Sequence, residues 1–591
     1  MPSQIREGAR RRGRTRMGSL ALMLIGLAMF AAGYFFYSKY LAKRVYQLNS
    51  GFTTPAHELK DGIDYVPTNK FILWGHHFTS VAGAAPIVGP AIAVIWGWLP
   101  ALLWVTIGTV FFAGMHDLGA LWASLRNKGK SIGALSGRYI GKRGANLFLV
   151  VIFLLLLMVI AAFAVVIKNL LISTPTAVIP TWGAIIVALL VGVAVYRMRW
   201  PLIPVTIVGV VALYALIVLG DSVPVVLPES TLGMSPATVW ILVLFIYGAI
   251  ASLLPVWVLL QPRDYINGVQ LFVGLILLFG AVLLGALFSA NPPDIVAPMF
   301  NTNLPEGTPS MVPLLFVTIA CGAISGFHGM VSSGTTSKQI DKETDARFVG
   351  YFGAVGEGML SLGTILAVIG GFRSVAEWEE IYSSFGAGGV TAFVQGGGAL
   401  MENGLGLPAS LSATVLATMA VLFAATTMDT GMRLLRFVVQ EIGDAFKVKI
   451  TKIPATLVVV VVGLGLTFSQ GLGGEGGLRI WPLFGTTNQL LASLTLSIIA
   501  VMLLRKRRNP WPAIIPLVLV FVMSFWAAIE QLTSFAAPEN PDWLLFAIDI
   551  VIIVSSVWVA VEAVLAMRRA VQGPPEHEDE DLQLVATREQ V

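Results

Sequence analysis

Apolar runs of about 20 residues, each long enough to cross a bilayer as a helix, recur from about residue 18 to about residue 567. Only short polar segments separate them. The pattern predicts an all-α polytopic integral membrane protein with about fifteen transmembrane helices. The predicted spans are 18–38, 71–95, 98–125, 146–173, 181–199, 202–220, 237–260, 266–289, 313–333, 350–371, 409–433, 453–470, 481–504, 512–531 and 543–567.

Two of these spans contain helix-breaking residues near the middle. The span 71–95 includes AGAAPIVGP, with Pro86 and Pro90, and the span 237–260 has Pro255 after several small residues. A proline inside a helix removes a backbone donor, and the polar groups that it frees must face protein or a watery cavity. Both spans are therefore predicted to be discontinuous, although neighbouring helices often tolerate a simple kink.

The two interrupted spans lie five spans apart, so the second copy of the pattern has the opposite orientation in the membrane. Such a pair indicates an inverted-repeat transporter with its binding site near the midplane. The sequence divides into a basic N-terminus with a leading helix at 1–45, a first five-helix unit at 71–220, and a second, inverted unit at 237–433. Four peripheral helices at 453–567 and a disordered acidic tail at 570–591 are predicted to follow.

Basic clusters occupy every second loop, for example 126–143 and 337–347, whereas loops such as 291–310 have few basic residues. The positive-inside rule places the basic loops and the C-terminus in the cytoplasm. An odd number of spans then places the N-terminus outside, although it carries six arginines. Two hypotheses resolve the conflict: the segment 71–95 does not cross the membrane, or the chain begins near Met17.

Composition excludes several other classes of protein. Of 591 residues, 56% are hydrophobic and 12% charged, which is far from the composition of soluble domains. The net charge of +5 is distributed over the loops and favours membrane orientation over nucleic-acid binding. Because Cys321 is the single cysteine, an intrachain disulfide is impossible. The chain has no nucleophile elbow, Walker loop or metal-hydrolase motif, so no enzymatic activity is predicted.

Titratable side chains inside the spans are candidates for proton coupling, because each costs about 2.5–3.5 kcal/mol to insert unless it faces a cavity or a partner. Histidine titrates near neutral pH, which suits a proton-coupling residue. For any single histidine, a structural role, with the ring bonded to a freed backbone carbonyl, is an equally good explanation. The candidate residues come from separate spans and lack the HExxH-like or CxxC-like spacing of metal-binding motifs. Neither a metal site nor a cofactor is therefore predicted. The candidates are His76, His77, His116, Asp117 and His328, and Glu357 is a further titratable residue.

Two charged pairs lie near the predicted cytoplasmic ends of spans. Asp429 and Arg433 are four residues apart and can pair on one helix face, which favours a structural or gating role. Arg263 and Asp264, next to a proline, are predicted mainly to anchor a loop.

Hydroxyl side chains are concentrated where the span 313–333 meets the cytoplasm. Ser332, Ser333 and Thr335 are able to donate oxygen ligands to a sodium ion, or to cap the helix end by bonding to the backbone. Both interpretations remain open at the level of sequence.

Long motifs also occur in a fixed order between about Asp64 and about Leu504: DYVPTNKFILWGHHF, GPAIAVIWGWLPALLW, ASLLPVWVLLQPRDY, ACGAISGFHGMVSSGTT, ETDARFVGY and WPLFGTTNQLLA. Together they resemble the signature segments of the carbon starvation protein A family. The resemblance implies a bacterial inner-membrane secondary transporter of peptides or pyruvate. It further implies membership of the amino acid, polyamine and organocation transporters, with a leucine-transporter-like five-plus-five inverted-repeat core and discontinuous first helices.

The same resemblance implies that unwound backbone in the two broken helices holds the substrate, and that Ser332 and Ser333 mark an ion position. Ala85 departs from the family, which usually has glycine before this proline. The motif FGTTNQ lies outside the ten-span core, so either it lines the site from a peripheral helix or the repeat assignment is shifted. The implied substrate-binding residues are Gly83, Ala84, Ala85, Pro86, Tyr247, Gly248, Ser252, Asn488 and Gln489.

The leading functional hypothesis is proton-coupled import of pyruvate or short peptides in response to carbon starvation. An anionic carboxylate would meet the N-termini of half-helices, and protonation of a histidine would couple its entry to the proton gradient. A sodium-coupled amino acid or peptide symporter is one alternative, and a membrane starvation sensor is another. The expected partners are the small-molecule substrate, a proton or sodium ion and membrane lipid, but not nucleic acid; no oligomeric state is predicted.

Overall fold

The computed structural model describes residues 18–255, 258–538 and 541–575. These residues form helices joined by turns and loops, and their only β-pairing consists of isolated bridges. Twelve of their helices are long and apolar enough to cross a membrane, or thirteen if one bent pair is counted as a span. The predicted all-α, multi-pass membrane architecture is confirmed. The N-terminal arginines and the tail from residue 576 lie outside the described residues.

The principal helices follow the apolar pattern closely. In chain order they are α1 Gly18–Val45, α2 Lys70–Ala82, α3 Ala85–Trp96, α4 Trp98–Leu125, α5 Ile132–Tyr139, α6 Lys142–Ser173, α7 Pro175–Val195, α8 Leu202–Ser222, α9 Pro236–Leu253, α10 Leu260–Phe288, α11 Met311–Thr318, α12 Gly326–Gly334, α13 Glu343–Gly370, α14 Val375–Ile381, α15 Gly389–Leu405, α16 Ala409–Ala445, α17 Lys452–Thr467, α18 Glu475–Arg479, α19 Trp481–Arg505, α20 Trp511–Phe535 and α21 Trp543–Gln572.

Each of the fifteen predicted spans coincides with helix, but in two of them the helices are shorter than the 18 residues taken as the minimum for a span. The segment 313–333 is divided into α11 and α12, and α17 has only 16 residues. The buried helix α15 is not predicted by hydropathy, because its sequence is rich in glycine. A Cβ atom at Gly396 would lie 2.3 Å from the carbonyl oxygen of Ala367, so glycine lets α15 pack directly on the backbone of α13.

Two long helices, α6 and α16, form a largely buried pair. The helices α6 and α16 pack along each other, and 83% of the most apolar stretch of each is buried. In contrast, only 22% of the corresponding stretch of α8 and 33% of those of α20 and α21 are buried. Because lipid solvates an apolar helix surface without penalty, these outer helices can be stable with less of their surface buried against other helices.

The helix pairs α2–α3 and α11–α12 run in opposite directions. The backbone N–H of Thr68, just before α2, donates to the carbonyl of Gln339, just after α12, at 3.0 Å. At the other end, the N–H of Asn301, before α11, donates to the carbonyl of Trp96 at 3.0 Å. The segment 71–95 therefore connects the two ends of the bundle, and the hypothesis that it does not cross is wrong.

The basic loops gather at one end of the bundle, here called the basic end. Arg126 pairs with Glu343 at 2.6 Å, and Arg508 donates to the carbonyl of Tyr46, just after α1. Ser19, in the first turn of α1, donates to the carbonyl of Pro293 at the opposite end. Residue 18 therefore lies at the end opposite the basic loops, as an odd number of spans requires.

Candidate functional site

The first interruption separates α2 from α3, whose axes differ by 45°. Gly83 ends α2 with φ of +52°, a conformation that glycine adopts without steric cost. Pro86 lies in the first turn of α3, where its missing N–H is not needed. A Cβ atom at Gly83 would lie 2.7 Å from both Phe163 of α6 and Thr427 of α16. The predicted break in this span is confirmed at Gly83 and Ala84, whereas Ala85 and Pro86, also predicted to be unwound, lie in the first turn of α3; the break faces α6 and α16.

The second interruption is at 319–325, between α11 and α12, where a continuous span was predicted. Gly322 has φ of +106°, and a Cβ atom there would lie 2.3 Å from Oγ of Ser361. Its freed carbonyl accepts a hydrogen bond from Thr109 Oγ1 at 2.8 Å. The only sequence signal is the run of small residues CGAISG, which is similar to VAGAA at the first break but has no adjacent proline.

The helix α9 is continuous through Gly248 and Ser252, so the predicted unwinding at these residues is wrong, and the chain leaves the helix only at Leu254. Pro255 follows the end of α9, and Leu254 before it is extended (φ −70°, ψ 149°), as residues before proline prefer. Tyr247 and Gly248 consequently lie on regular helix, and Ser252 Oγ donates to the Ala249 carbonyl of its own helix at 2.9 Å. These three residues therefore line no unwound segment.

Asn488 and Gln489 of α19 hold the backbone on both sides of the second break. Asn488 Oδ1 accepts from the N–H of Phe327 at 2.9 Å, and Asn488 Nδ2 donates to Ser325 Oγ at 3.0 Å. Gln489 Nε2 donates to the carbonyl of Phe316, near the end of α11, at 2.6 Å. Two residues of the FGTTNQ motif thus contact the backbone on both sides of the second break.

The two breaks are connected through α13. Ser361 Oγ donates to the carbonyl of Pro86 at 3.1 Å, and the same hydroxyl packs against Gly322. A Cβ atom at Gly89 of α3 would lie 2.3 Å from the carbonyl oxygen of Thr318, so α3 approaches the end of α11 at backbone contact. The interrupted segments are therefore direct neighbours.

A buried charged network, here called the His76 network, joins α2, α9, α10 and α16. His76 Nδ1 lies 2.7 Å from Asp264 Oδ2, and Arg263 Nη2 lies 3.0 Å from Asp264 Oδ1. Arg263 also bonds Asp429, and Tyr247 donates its hydroxyl to Asp429 at 2.9 Å. Arg263 and Asp264 are at most 2% exposed, so the prediction that they anchor a loop is wrong.

The predicted pair between Asp429 and Arg433 is not formed. Asp429 bonds Arg263 instead, and Arg433 Nη2 donates to the carbonyls of Ala251, at 3.1 Å, and Leu254. These carbonyls end α9, where a cation is favourable because the last carbonyls have no helical partner. Both residues still join α16 to its neighbours, but through different partners.

The network is attached to the last turns of α2. Asp264 accepts from Ser80 Oγ at 3.3 Å through its carboxylate and from Thr79 Oγ1 at 2.8 Å through its carbonyl. Thr427, which packs against Gly83, donates to the carbonyl of Ser80 at 3.2 Å. The charges are therefore one turn away from the first break.

A second buried cluster joins α4, α12 and α13. Asp117 accepts from His116 Nδ1 and from His328 Nδ1, each at 2.8 Å. The other ring nitrogen of His328, Nε2, lies 3.1 Å from Glu357 Oε2. With Nδ1 donating to Asp117, a neutral His328 presents an acceptor at Nε2. Two acceptors at this distance require a proton or a cation between them.

His77 belongs to neither cluster. Its Nδ1 lies 3.0 Å from Thr336 Oγ1, and its ring is fully buried. Adjacent positions on a helix point about 100° apart, which explains why His76 and His77 face different neighbours.

The hydroxyls after His328 mainly bond helix backbone. Ser333 Oγ donates to the carbonyl of Gly329 at 2.7 Å, and Thr335 Oγ1 to that of Val331 at 3.1 Å. These bonds agree with the backbone-bonding interpretation. Ser332 Oγ has no partner among the described residues, so a sodium position there stays a prediction.

Cavities lie at both ends of the bundle. At the basic end, a cavity of about 480 Å³ is lined by Tyr65, Lys130, Met330, Leu434 and Glu441. At the opposite end, a cleft of about 1050 Å³ includes the side chains of Asp294, Arg373, Glu377 and Glu402. The first cavity reaches Met330, two residues beyond His328.

Comparison with known proteins places this architecture in a family. The sequence matches the family described as Carbon starvation protein CstA over residues 18–375 and 373–527. It is 32% identical to the "Peptide transporter CstA" of Campylobacter jejuni over 88% of this chain and 81% of that protein. It is 29% identical to the "Pyruvate/proton symporter BtsT" of Escherichia coli K12 over 89% of this chain and 83% of that protein.

A solved structure shares the fold at low sequence identity. The manganese transporter of Eremococcus coleocola aligns with a TM-score of 0.51 and 12% identity, over 87% of this chain and 99% of that one. The family match covers most of the chain, including both broken helices and the FGTTNQ segment. The chain therefore belongs to the carbon starvation protein CstA family.

Proposed function

We propose that the protein imports a small carboxylated carbon source, pyruvate or a short peptide, across the bacterial inner membrane together with a proton. Relatives are named as peptide transporters and as a pyruvate/proton symporter. The paired helix breaks supply the backbone that such a substrate needs, because half-helix N-termini favour a carboxylate. The substrate would contact Gly83 to Pro86 and the unwound segment 319–325.

The observation that carries the proton coupling is the charge balance of the His76 network. Its direct contacts join one guanidinium, Arg263, to two carboxylates, Asp264 and Asp429. One negative charge is therefore in excess, and a buried unbalanced charge is costly. Arg433 is directed to the end of α9 and not to either carboxylate. A proton on His76, which lies against Asp264, restores neutrality.

Protonation is coupled to the substrate site through α2. Asp264 accepts hydrogen bonds from Thr79 and Ser80 of α2. Thr427 of α16 donates to the carbonyl of Ser80 and packs against Gly83. Loss of the proton leaves a repulsive carboxylate pair around Arg263 and weakens the attachment of α2 to α10 and α16. In this scheme Asp429 and Arg433 gate the basic end by holding α9, α10 and α16 together.

The positions of the breaks also suggest a revised inverted repeat. The second unit begins with α11–α12, continues through α13, α16 and α17, and ends with α19. The first unit begins with α2–α3 and continues through α4, α6, α9 and α10, with the lipid-facing hairpin α7–α8 as an insertion. An inserted pair of spans leaves the orientation of later helices unchanged, and Asn488 then belongs to the core.

Uptake into proteoliposomes tests the function. Labelled pyruvate and a labelled dipeptide are each supplied with a proton gradient, a sodium gradient or neither. We expect the proton gradient alone to drive accumulation of one of them. Accumulation that follows only the sodium gradient would support the sodium symporter instead, and accumulation that ignores both gradients would exclude a symporter.

The variant His76→Gln tests the coupling residue. It retains a hydrogen-bonding side chain but cannot take a proton, so we expect gradient-driven accumulation to be lost while exchange of internal for external substrate continues. The control is His57→Gln, because His57 is 47% exposed and pairs with Asp341 at the surface. Proton-driven accumulation at the wild-type level in His76→Gln would remove this histidine from the coupling step.

A further inference from the structure

The strongest feature outside the His76 network is a buried group of three different metal-ligating side chains at the second break. One ligand atom each from Cys321, His328 and Glu357 lies within 4.8 Å of the others, and all three residues are buried. Cys321 belongs to the unwound segment, His328 to α12 and Glu357 to α13. We propose that these three residues bind a divalent transition-metal ion of the Zn²⁺ type.

The donor set selects the class of ion. A thiolate, an imidazole and a carboxylate match the nitrogen, sulfur and oxygen ligands of Zn²⁺ and its analogues Co²⁺ and Cd²⁺, whereas Mg²⁺ and Ca²⁺ prefer oxygen alone. Ligands about 2.0–2.1 Å from a tetrahedral zinc ion lie about 3.3 Å apart, close to the 3.1 Å between His328 Nε2 and Glu357 Oε2. Three protein ligands leave a fourth position open.

The surrounding residues orient two of the ligands. Asp117 accepts from His328 Nδ1 at 2.8 Å, which turns Nε2 toward Glu357; a carboxylate behind a ligating histidine is a recurrent feature of metal sites. Asn488 Nδ2 donates to Cys321 Sγ at 3.2 Å, a contact that stabilises a thiolate.

Charge also favours a cation at this point. The Glu357 side chain is fully buried, and His328 Nε2 lies 3.1 Å from its Oε2. When Cys321 binds as a thiolate and releases its proton, the thiolate and the Glu357 carboxylate carry two negative charges, which one divalent ion neutralises.

Cadmium binding to the purified full-length protein in detergent tests the site. A cysteine thiolate bound to Cd²⁺ gives an ultraviolet charge-transfer band, and Cys321 is the only cysteine in the chain. We expect one equivalent of Cd²⁺ to produce this band in the wild type and the Cys321→Ser variant to lack it. Asp117→Asn leaves the three ligands in place and is expected to weaken binding by about 10- to 100-fold.

Matched variants separate a built site from adventitious binding. Glu357→Gln retains the thiolate, so it should keep the band with a weaker dissociation constant, even if Cys321→Ser fails to fold. Glu402→Gln at the opposite end should bind as the wild type does. Absence of the band in folded wild-type protein, or unchanged affinity in Glu357→Gln, would overturn the proposal. Binding is measured without transport, so this result is independent of the proposed function.

Discussion

Single glycines decide where the two half-helices stop. Gly83 and Gly322 both have positive φ, and at each of them a Cβ atom would lie closer than 3.0 Å to a neighbouring side chain. An L-residue at such a position is strained whatever its size. The breaks are therefore built into the backbone and do not depend on a bound substrate.

Gly322→Ala is expected to lower the free energy of unfolding by about 1–3 kcal/mol, because alanine is strained at positive φ and its Cβ atom collides with Ser361. The measurement is reversible unfolding in mixed SDS micelles. Gly280→Ala is the matched control, since that helical glycine has no atom within 4 Å of the new Cβ, and it should change stability by less than about 1 kcal/mol. Equal effects of the two substitutions would contradict the assigned strain.

Helices around the second break depend on side chains from other helices for their caps. The N-terminus of α12 has no side-chain cap of its own, and Asn488 of α19 accepts the N–H of Phe327 instead. A helix end inside a membrane has no water to satisfy it, so α19 fixes the position of α12. The His76 network similarly holds α9, α10 and α16 to α2.

Asn488→Ala leaves the N–H of Phe327 without this acceptor, and we expect a loss of about 1–3 kcal/mol in the free energy of unfolding. Substrate uptake should fall as well, because the second break loses its anchor. Asn146→Ala, at an exposed position of α6, should leave both quantities unchanged. A stable Asn488→Ala variant with wild-type uptake would show that α12 is positioned by other contacts.

Arg263→Met leaves Asp264 and Asp429 buried without their shared guanidinium. Removing one partner of a buried ion pair costs about 3–5 kcal/mol, and we expect a destabilisation of that order in mixed-micelle unfolding. The control is Arg373→Met at an exposed position before α14, with an expected change below about 0.5 kcal/mol. If both variants unfold alike, the network does not contribute to stability.

The molecule as a whole has one basic end and one end with few basic residues. Loops such as 126–143 and 337–347 meet at the basic end, whereas 291–310 lies at the other with the start of α1. The positive-inside rule assigns the basic end to the cytoplasm. The cavity at the basic end and the cleft at the opposite end then face opposite sides of the membrane.

Thiol labelling of intact spheroplasts tests this orientation. In a Cys321→Ser background, Gln395→Cys should react with a membrane-impermeant maleimide added outside, because Gln395 lines the cleft opposite the basic end. Lys130→Cys, at the basic-end cavity, should react only in inverted vesicles. The reverse pattern would show that the basic end faces outward and that the assigned direction of import is wrong.

The sequence by itself determined the membrane architecture and the first break. A bilayer demands apolar runs of about 20 residues, so spans can be located without knowledge of their neighbours, and Pro86 marks a local backbone constraint. The prediction from Pro255 was wrong because a proline constrains only the local backbone. Whether it kinks a helix or ends it depends on the surrounding packing.

Tertiary structure alone decided which polar residues meet. His76 and Asp264 are 188 positions apart, Asn488 and Phe327 are 161 apart, and Cys321, His328 and Glu357 converge only in the folded protein, where the second break and α12 meet a side chain of α13. Hydropathy sets the position of each residue along its helix but not the rotation of that helix against its neighbours. The His76 network and the proposed metal site both depend on that rotation, because each is formed by side chains from several helices.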